Sequence, residues 1–219
     1  MWLSVRLAAA TALVLVVIGI PIAWWLNTSR WRFTFLVESI VALPLVLPPT
    51  VLGFYVLVAI GPRGPIGAVV ASLTGGTMAF SFTGLLFASV LYSLPFAVQP
   101  FAAAFGAVDR RYTEAAWTLG LSRLETLVRV LVPLAWPGLL AGVVLSFAHT
   151  LGEFGVVLMV GGNLPGVTRT VSISIYDDVQ ALDYASAATT SAVLLAASFG
   201  VLSLTYLLQR RMVTVWKPR

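Results

Sequence analysis

The sequence contains no cysteine, a single histidine and few charged residues, which make up 10% of its 219 positions. Without cysteine there is no disulfide, no thiolate metal site and no cysteine nucleophile, and the redox compartment cannot be read from the chain. One histidine rules out the histidine clusters that bind zinc. Soluble domains carry about a quarter charged residues, so a water-soluble globular protein is not expected.

Apolar residues dominate instead: 59% of the chain is hydrophobic, and the mean hydropathy is +0.98. That is more apolar surface than one small core hides, and a helix needs about 20 mostly apolar residues to cross a bilayer. Five such stretches occur, over about residues 4–26, 33–60, 80–105, 134–158 and 185–208. Pro44, Pro48 and Pro49 are expected to kink or break the second stretch, because proline removes a backbone donor. The sequence therefore predicts an all-α membrane protein in which residues 1–219 form a single transmembrane domain.

The formal net charge of +5 would suit a nucleic-acid partner, but in membrane proteins basic residues collect in cytoplasmic loops. With the amino terminus outside, five spans leave Arg6, Arg63 and Arg169 outside the cell. The other ten of the 13 basic residues then lie inside: Arg30, Arg32, Arg110, Arg111, Arg123, Arg129, Arg210, Arg211, Lys217 and Arg219. We therefore expect a cytoplasmic carboxy terminus and no nucleic-acid partner. Residues 151–162 are open to two interpretations, a continued helix or a separate re-entrant segment.

The polar segment between the third and fourth predicted spans, about residues 108–132, has helix signals of its own. Residues 112–119 include good helix formers. Gly120 is expected to separate two short helices, since glycine takes a positive φ freely. Apolar residues then recur at three- and four-residue spacing, which indicates an amphipathic helix leading back into the membrane: Leu124, Leu127, Val128 and Leu131. Composition alone favours a solvated interfacial helix pair.

Glu114, Ala115, Ala116, Gly120 and Pro133 occur in and just after this segment. With these residues at this spacing, the segment resembles the EAA loop of bacterial ABC importer permeases. The resemblance implies a type I permease-like bundle built from the five predicted spans. It also implies that the loop forms coupling helices that dock into a groove on a separate ATPase subunit. The residues implied in coupling are Glu114, Ala115, Ala116, Gly120, Leu121 and Pro133. ATP and Mg²⁺ would then be bound by the ATPase, and no cofactor is expected on this chain.

Further segments resemble one branch of this family. Residues 43–53 and 61–67 look like molybdate permeases, as do residues 162–170, whereas residues 151–155 are similar to a signature shared by sulfate and molybdate permeases. The resemblance implies molybdate import across the inner membrane by a homodimer, with two ATPase subunits and a separate periplasmic molybdate-binding protein. A sulfate, thiosulfate or tungstate permease is the alternative within the family.

Catalysis by the chain itself is not expected. The Gly-x-x-x-x-Gly-Lys-Ser/Thr phosphate loop and the Gly-x-Ser-x-Gly elbow are both missing from the sequence. The rival from another class is a membrane-embedded enzyme or assembly factor that uses Glu153, His149 and Asp178 as acid–base groups. Asp177, Asp178 and Asp183 together have ligands suited to Ca²⁺, but solvated loop charge is the simpler interpretation, and no metal site is predicted.

Glu153 is the costliest residue to place at membrane depth, where carboxylates are rare and usually face a bundle interior or a wet cavity. Gly152 and Gly155 flank it, so we expect the fourth span to break there. Glu153 would then brace an outer gate, and His149 or a free backbone N–H would donate a hydrogen bond to it. Glu153 is not expected to bind the anion, because a carboxylate would repel a dianion. The alternative is a structural hydrogen bond near the outer interface. Relatives in this family commonly carry arginine at the position of His149.

Neutral donors and helix N-termini hold an oxyanion best, and such residues cluster in the second half of the chain. The candidates for the translocation path or its gate are His149, Thr150, Glu153, Asn163, Thr168, Thr170 and Ser172, with Ser174 nearby and Arg169 outside. The alternative is that the serines and threonines pack helices together, as they commonly do in membranes.

Overall fold

The computed structural model describes residues 1–215, and it describes side chains as far as residue 207. Within this part every regular element is a helix. The helices are α1 Trp2–Thr28, α2 Thr34–Val46, α3 Pro49–Ile60, α4 Pro65–Thr74, α5 Phe82–Gly106, α6 Arg110–Thr118, α7 Arg123–Thr126, α8 Val132–Gly152, α9 Gly155–Gly161, α10 Val171–Gln180 and α11 Tyr184–Val215. The π-helical segment Leu127–Leu131 joins α7 to α8 without a break.

Four helical stretches in the described residues are long and apolar enough to cross a membrane, and they match four of the predicted spans. They are α1, α5, α11 and the continuous stretch Arg123–Gly152. The remaining predicted span, the second, is the pair α2 and α3, which passes the same test only when the two helices are taken together. Lys217 and Arg219, and the side chains of Arg210 and Arg211, lie outside the described residues.

The second span is bent by 113° between α2 and α3. Pro44 is accommodated inside α2, whereas Leu47 and Pro48 leave the helical region with ψ near 136°. A residue before proline avoids the α conformation because of a clash with the proline ring. Pro49 then starts α3, where its missing N–H removes no helical bond. Two consecutive prolines therefore end one helix and begin the next.

α5 lies at the centre of the bundle and packs against both α1 and α8, which also contact each other. The amino-terminal halves of α1 and α5 share a buried cluster with Leu7 and Leu85. At the other end, the Asn27 amide donates to the carbonyl of Ala102 over 3.0 Å. α1 and α5 therefore run in the same direction, as two spans separated by one other span should.

α8 and α9 run along α5 in the opposite direction. Ser93 bonds Thr150, Ser89 bonds Glu153, and the Phe80 N–H, just before α5, donates to the carbonyl of Val160. In these three contacts, lower residue numbers in and before α5 pair with higher residue numbers along α8 and α9, so the directions are opposite. α9 has seven residues, about 10 Å, and is too short to cross by itself. It continues the fourth span beyond a break, which settles the question left open for residues 151–162.

The described chain has two distinct ends. The Val171 N–H donates to the Ser4 hydroxyl over 2.8 Å, so the starts of α1 and α10 lie together near the start of α5. The Asn27 contact brings the segment with Arg30 and Arg32 to the opposite end of α5. Residues 108–132 follow α5 at that same opposite end. Six of the ten basic residues that were predicted to share one side of the membrane are described, and these six lie at one end of the bundle: Arg30, Arg32, Arg110, Arg111, Arg123 and Arg129.

Candidate functional site

The two helix breaks lie side by side. α3 begins at Pro49 and α9 begins at Gly155, and a Cβ on Gly155 would lie 2.7 Å from the Pro49 Cβ. The absence of a side chain on Gly155 therefore allows the starts of the two helices to touch. Ser89, which bonds the second break, is seven residues into α5, about 10 Å from its start. The paired breaks thus lie within the membrane-crossing part of the bundle.

Glu153 occupies the second break, as predicted, with extended backbone angles of φ −66° and ψ 136°. Its side chain is buried, and its Oε2 accepts a hydrogen bond of 3.0 Å from the Ser89 hydroxyl. Its Oε1 has no hydrogen-bond partner within the described chain. The prediction that His149 or a backbone N–H supplies the donor is wrong, because α5 presents Ser89 at the depth of the break while His149 bonds elsewhere.

Ser89 and Ser93 are site residues that the sequence alone did not single out. Both are fully buried, one helical turn apart on α5, and both bond the fourth span. The available signal was two serines four residues apart within an apolar span, which places them on one helix face. That pattern is also typical of ordinary helix packing in membranes, so it does not reveal the partners.

The hydrogen bonds around Ser93 fix the tautomer of His149. The Thr150 hydroxyl has one proton, which it donates to the Ser146 carbonyl over 2.9 Å. The 2.8 Å contact between Ser93 and Thr150 then requires Ser93 as donor. Ser93 has no proton left, so its 2.9 Å contact with His149 requires an N–H on Nδ1. Neutral His149 therefore has a bare Nε2, which accepts hydrogen bonds and does not donate them.

Aromatic side chains of α5 hold the His149 ring in place. The ring stacks on Phe96 with a centroid distance of 3.8 Å and an interplanar angle of 21°, and Tyr92 lies 4.9 Å away. The ring is half-buried. His149 and Thr150 thus belong to one hydrogen-bonded cluster with Ser93, whereas Glu153 bonds separately to Ser89.

The hydroxyls of the candidates Thr168 and Thr170 bond backbone groups at the end of the bundle where α1 and α10 start. The buried Thr168 hydroxyl donates to the Gly161 carbonyl over 2.6 Å and accepts from the Leu164 N–H over 3.2 Å. Thr170 caps α10 by accepting from the Ile173 N–H over 3.4 Å. Both hydroxyls therefore fix the loop that joins α9 to α10. Their predicted place on a translocation path stays a prediction.

Asn163 lies between Arg169, which is in the same loop, and Asp177, which is on α10. Its amide donates to both carboxylate oxygens of Asp177, at 2.9 and 2.7 Å, and its carbonyl accepts from Arg169 Nε over 2.6 Å. The same Nε lies 3.6 Å from Asp177 Oδ2. Arg169 is thus engaged with a carboxylate. The Ser172 hydroxyl is buried, and within the described residues it has no hydrogen-bond partner.

The acidic residues of this end have separate structural roles. Asp177 bonds Asn163, as described, and Asp183 accepts from the Ser186 N–H at the start of α11 over 3.1 Å. Hydrogen bonds from the Ser186 side chain and N–H lower the pKa of Asp183 below its ordinary value. Among the described residues, no three His, Asp or Glu side chains come close enough to share a metal ion.

The predicted coupling loop is a pair of short helices at the opposite end. Asp109 caps α6 by accepting from the Arg111 N–H over 2.9 Å, and Ser122 and Glu125 form a capping box on α7. Gly120 lies between the helices with φ at +83°, which confirms the predicted break. Glu114 forms an exposed ion pair of 2.9 Å with Arg110, and such a pair adds little stability.

This helix pair presents unpartnered apolar side chains. Trp117 and Leu119 are 48% and 80% exposed, and Tyr112 and Leu124 are exposed beside them. Among the residues implied in coupling, Ala116 is buried, Leu121 is half-buried, and the others are exposed: Glu114, Ala115, Gly120 and Pro133. Large exposed apolar side chains on a polar loop mark a surface for a partner.

Residues 15–214 match the family described as binding-protein-dependent transport system inner membrane component. The chain is 52% identical over 204 residues to the molybdenum transport system permease protein ModB of Azotobacter vinelandii, covering 93% of this chain and 90% of that protein. It is 38% identical to ModB of Escherichia coli K12, covering 81% and 78%. It is 36% identical to a probable sulfate transport system permease of Chlorella vulgaris, covering 88% and 72%.

Solved structures share the fold at low sequence identity. A bacterial alginate ABC transporter, in complex with an alginate-bound periplasmic protein, matches with a TM-score of 0.75 and 16% identity over 97% of this chain and 77% of that one. The inward-facing MetNI methionine ABC transporter matches with a TM-score of 0.72 and 16% identity over 96% and 93%. The all-helical bundle is therefore a type I importer permease fold, and the chain belongs to the inner membrane components of binding-protein-dependent transport systems.

Proposed function

We propose that this chain is the transmembrane permease subunit of an ATP-driven importer of molybdate. The observation that carries the proposal is the 52% identity to the Azotobacter molybdenum permease over 93% of the chain. That likeness extends over both the coupling loop and the paired helix breaks. Sulfate import is the second candidate, because the Chlorella sulfate permease is 36% identical over 88% of the chain.

The proposed assembly has the coupling loop in the cytoplasm, docked on an ATPase subunit that binds ATP and Mg²⁺. The exposed Trp117 and Leu119 would enter the groove of that subunit. Arg30, Arg32, Arg110 and Arg111 lie at the same end of the bundle, which supports a cytoplasmic location for that end. The amino terminus would then lie outside and the carboxy terminus inside. A second copy of the chain and a periplasmic molybdate-binding protein would complete the transporter.

A continuous helical connection between loop and break supports a coupling mechanism. Residues 123–152 form one continuous helical stretch of 30 residues, about 45 Å long. It begins with α7, the second helix of the coupling loop, and ends at Gly152, next to Glu153. When the ATPase subunits close on ATP, motion of the loop would move this stretch as a unit. The Glu153–Ser89 bond at its far end would then hold or release the gate between the paired breaks.

Reconstitution in vesicles tests the proposal. The chain is purified with an ATPase subunit and a binding protein of a molybdate transporter and supplied with ATP and molybdate. We expect molybdate uptake that requires ATP and the binding protein and that excess sulfate does not suppress. Uptake of sulfate with no uptake of molybdate would favour the second candidate. ATP-independent chemistry by the chain alone would contradict both.

A further inference from the structure

One face of α5 is open along its second half. Tyr92, Phe96 and Gln99 follow one another at four- and three-residue spacing, so they form one stripe along the helix. Tyr92 and Phe96 are half-buried and Gln99 is exposed. On the other side of the helix, Val98 and Phe101 are buried in the core shared with α1 and α8. We call these three residues, Tyr92, Phe96 and Gln99, the open stripe.

Gln99 is a polar side chain at membrane depth. It lies seventeen residues after the start of α5 and seven before its end, about 26 and 10 Å respectively. Its amide has no hydrogen-bond partner within the described chain. Transferring an amide from water to hydrocarbon without a hydrogen-bond partner carries a large free-energy penalty. Exposure to lipid is therefore unfavourable, and water or a ligand on this face would remove the penalty.

The chemistry of the open stripe suits an oxyanion. A neutral amide N–H attracts an anion without the tight binding of a fixed positive charge, so release stays easy. The neighbouring His149, stacked on Phe96, presents a bare Nε2 in its neutral form and offers no donor there. Thr168 and Thr170, the hydroxyls predicted from sequence, already bond backbone groups. Gln99 is the residue of this face that carries free N–H donors.

We propose that the open stripe lines a water-filled anion path and that the Gln99 amide donates a hydrogen bond to the passing tetrahedral oxyanion. The inference rests on the proposed function as an oxyanion permease and adds the helix that faces the substrate. It makes α5 the lining element, with its opposite face holding α1 and α8. Gln99 thereby becomes a residue that discriminates acceptor-rich anions from other solutes.

Single cysteines test whether the stripe meets water, since the chain contains no cysteine of its own. Gln99→Cys and Tyr92→Cys are compared with Leu195→Cys, which is 72% exposed on the apolar helix α11, and with the buried Val98→Cys. In the assembled complex, a charged water-soluble thiol reagent should label positions 99 and 92 about tenfold or more faster than positions 195 and 98. The reason is that thiols in hydrocarbon are not ionised. Equal rates at positions 99 and 195 overturn the proposal, as does a disulfide between two copies at position 99 without labelling.

Substitutions of Gln99 test its contact with the anion. Molybdate uptake by the assembled complex should fall in the order Gln99→Asn, Gln99→Leu, Gln99→Glu, with the last about tenfold or more below the unsubstituted chain, because a carboxylate repels a dianion. If Gln99 instead faced lipid, Gln99→Leu would maintain or raise molybdate uptake, and that result overturns the proposal. If the unsubstituted complex takes up no molybdate, the proposed function fails, whereas the labelling experiment still decides whether Gln99 meets water.

Discussion

At the scale of single residues, Glu153 is held by one hydrogen bond and lacks a second. Ser89 donates to Oε2, and Oε1 has no partner within the described chain. A buried acceptor without a partner costs about 1–3 kcal/mol. The role of Glu153 as a brace of an outer gate stays a prediction, with a structural hydrogen bond as its alternative, and substitutions of Glu153 test it.

The brace predicts different outcomes for two substitutions of Glu153. Glu153→Gln keeps a carbonyl oxygen that accepts from Ser89 and should retain much of the transport. Glu153→Ala removes the acceptor, leaves the Ser89 hydroxyl buried and unbonded at a cost of about 1–3 kcal/mol, and should lose transport. Uptake and ATP hydrolysis are measured on the same vesicles. Ser89→Ala should resemble Glu153→Ala, and an equal loss with Gln and Ala would show that the charge itself is required.

Gly120 supports a second prediction at this scale, because its φ of +83° is costly for other residues while its surroundings are open. Gly120→Val should therefore strain the joint between α6 and α7 by about 1–3 kcal/mol without any steric clash. Transport should fall while the binding protein keeps its affinity for the anion. Gly120→Asn, which tolerates this φ, should be milder. The control is Gly200→Val, since Gly200 has equally open surroundings and an ordinary φ. Normal transport by Gly120→Val would exclude a coupling role.

At the scale of the elements, the sequence predicted where helices break but not which helices pack against each other. Proline chemistry predicted a kink or break at Pro44, Pro48 and Pro49, and the two glycines around Glu153 predicted the second break. The 113° bend and the contact between Pro49 and Gly155 depend on how distant segments pack. The Ser89–Glu153 bond likewise joins residues 64 positions apart. Helical periodicity gives the face of a residue but not the depth at which two helices align, so the donor to Glu153 was misassigned.

The packing of α3 against α9 gives an element-scale prediction. A methyl on Gly155 would lie 2.7 Å from the Pro49 Cβ, whereas a methyl on Gly152 would meet nothing within 4 Å. Gly155→Ala should push the two helices apart and cost about 1–3 kcal/mol through overpacking. Thermal unfolding of the purified chain in detergent measures this cost. Gly152→Ala is the matched control three residues earlier, and equal midpoints for the two variants would show that the starts of α3 and α9 do not touch.

At the scale of the whole molecule, the distribution of charge and the order of the helices agree on which segments share an end. Asn27 bonds Ala102, so Arg30 and Arg32 lie beside the start of the coupling loop. Ser4 bonds Val171, which joins the starts of α1 and α10 at the other end. Charge alone predicted this grouping, because basic residues favour one side of a membrane regardless of packing detail. The assignment of that end to the cytoplasm is what an experiment must add.

Single cysteines provide that assignment, because the chain has none of its own. Arg123→Cys, at the start of α7, should resist a membrane-impermeant thiol reagent in intact cells and react once the membrane is permeabilised. Arg63→Cys, between α3 and α4, should react from outside without permeabilisation. The two positions are separated by α5, a helix of 25 residues, about 37 Å in length, so one crossing must place them on opposite faces. Lys217→Cys extends the same test to the carboxy terminus and should behave like Arg123→Cys. Labelling of position 123 in intact cells would show that the bundle has the opposite orientation. The coupling loop would then lie where no ATPase subunit reaches it, and the proposed transport mechanism would fail.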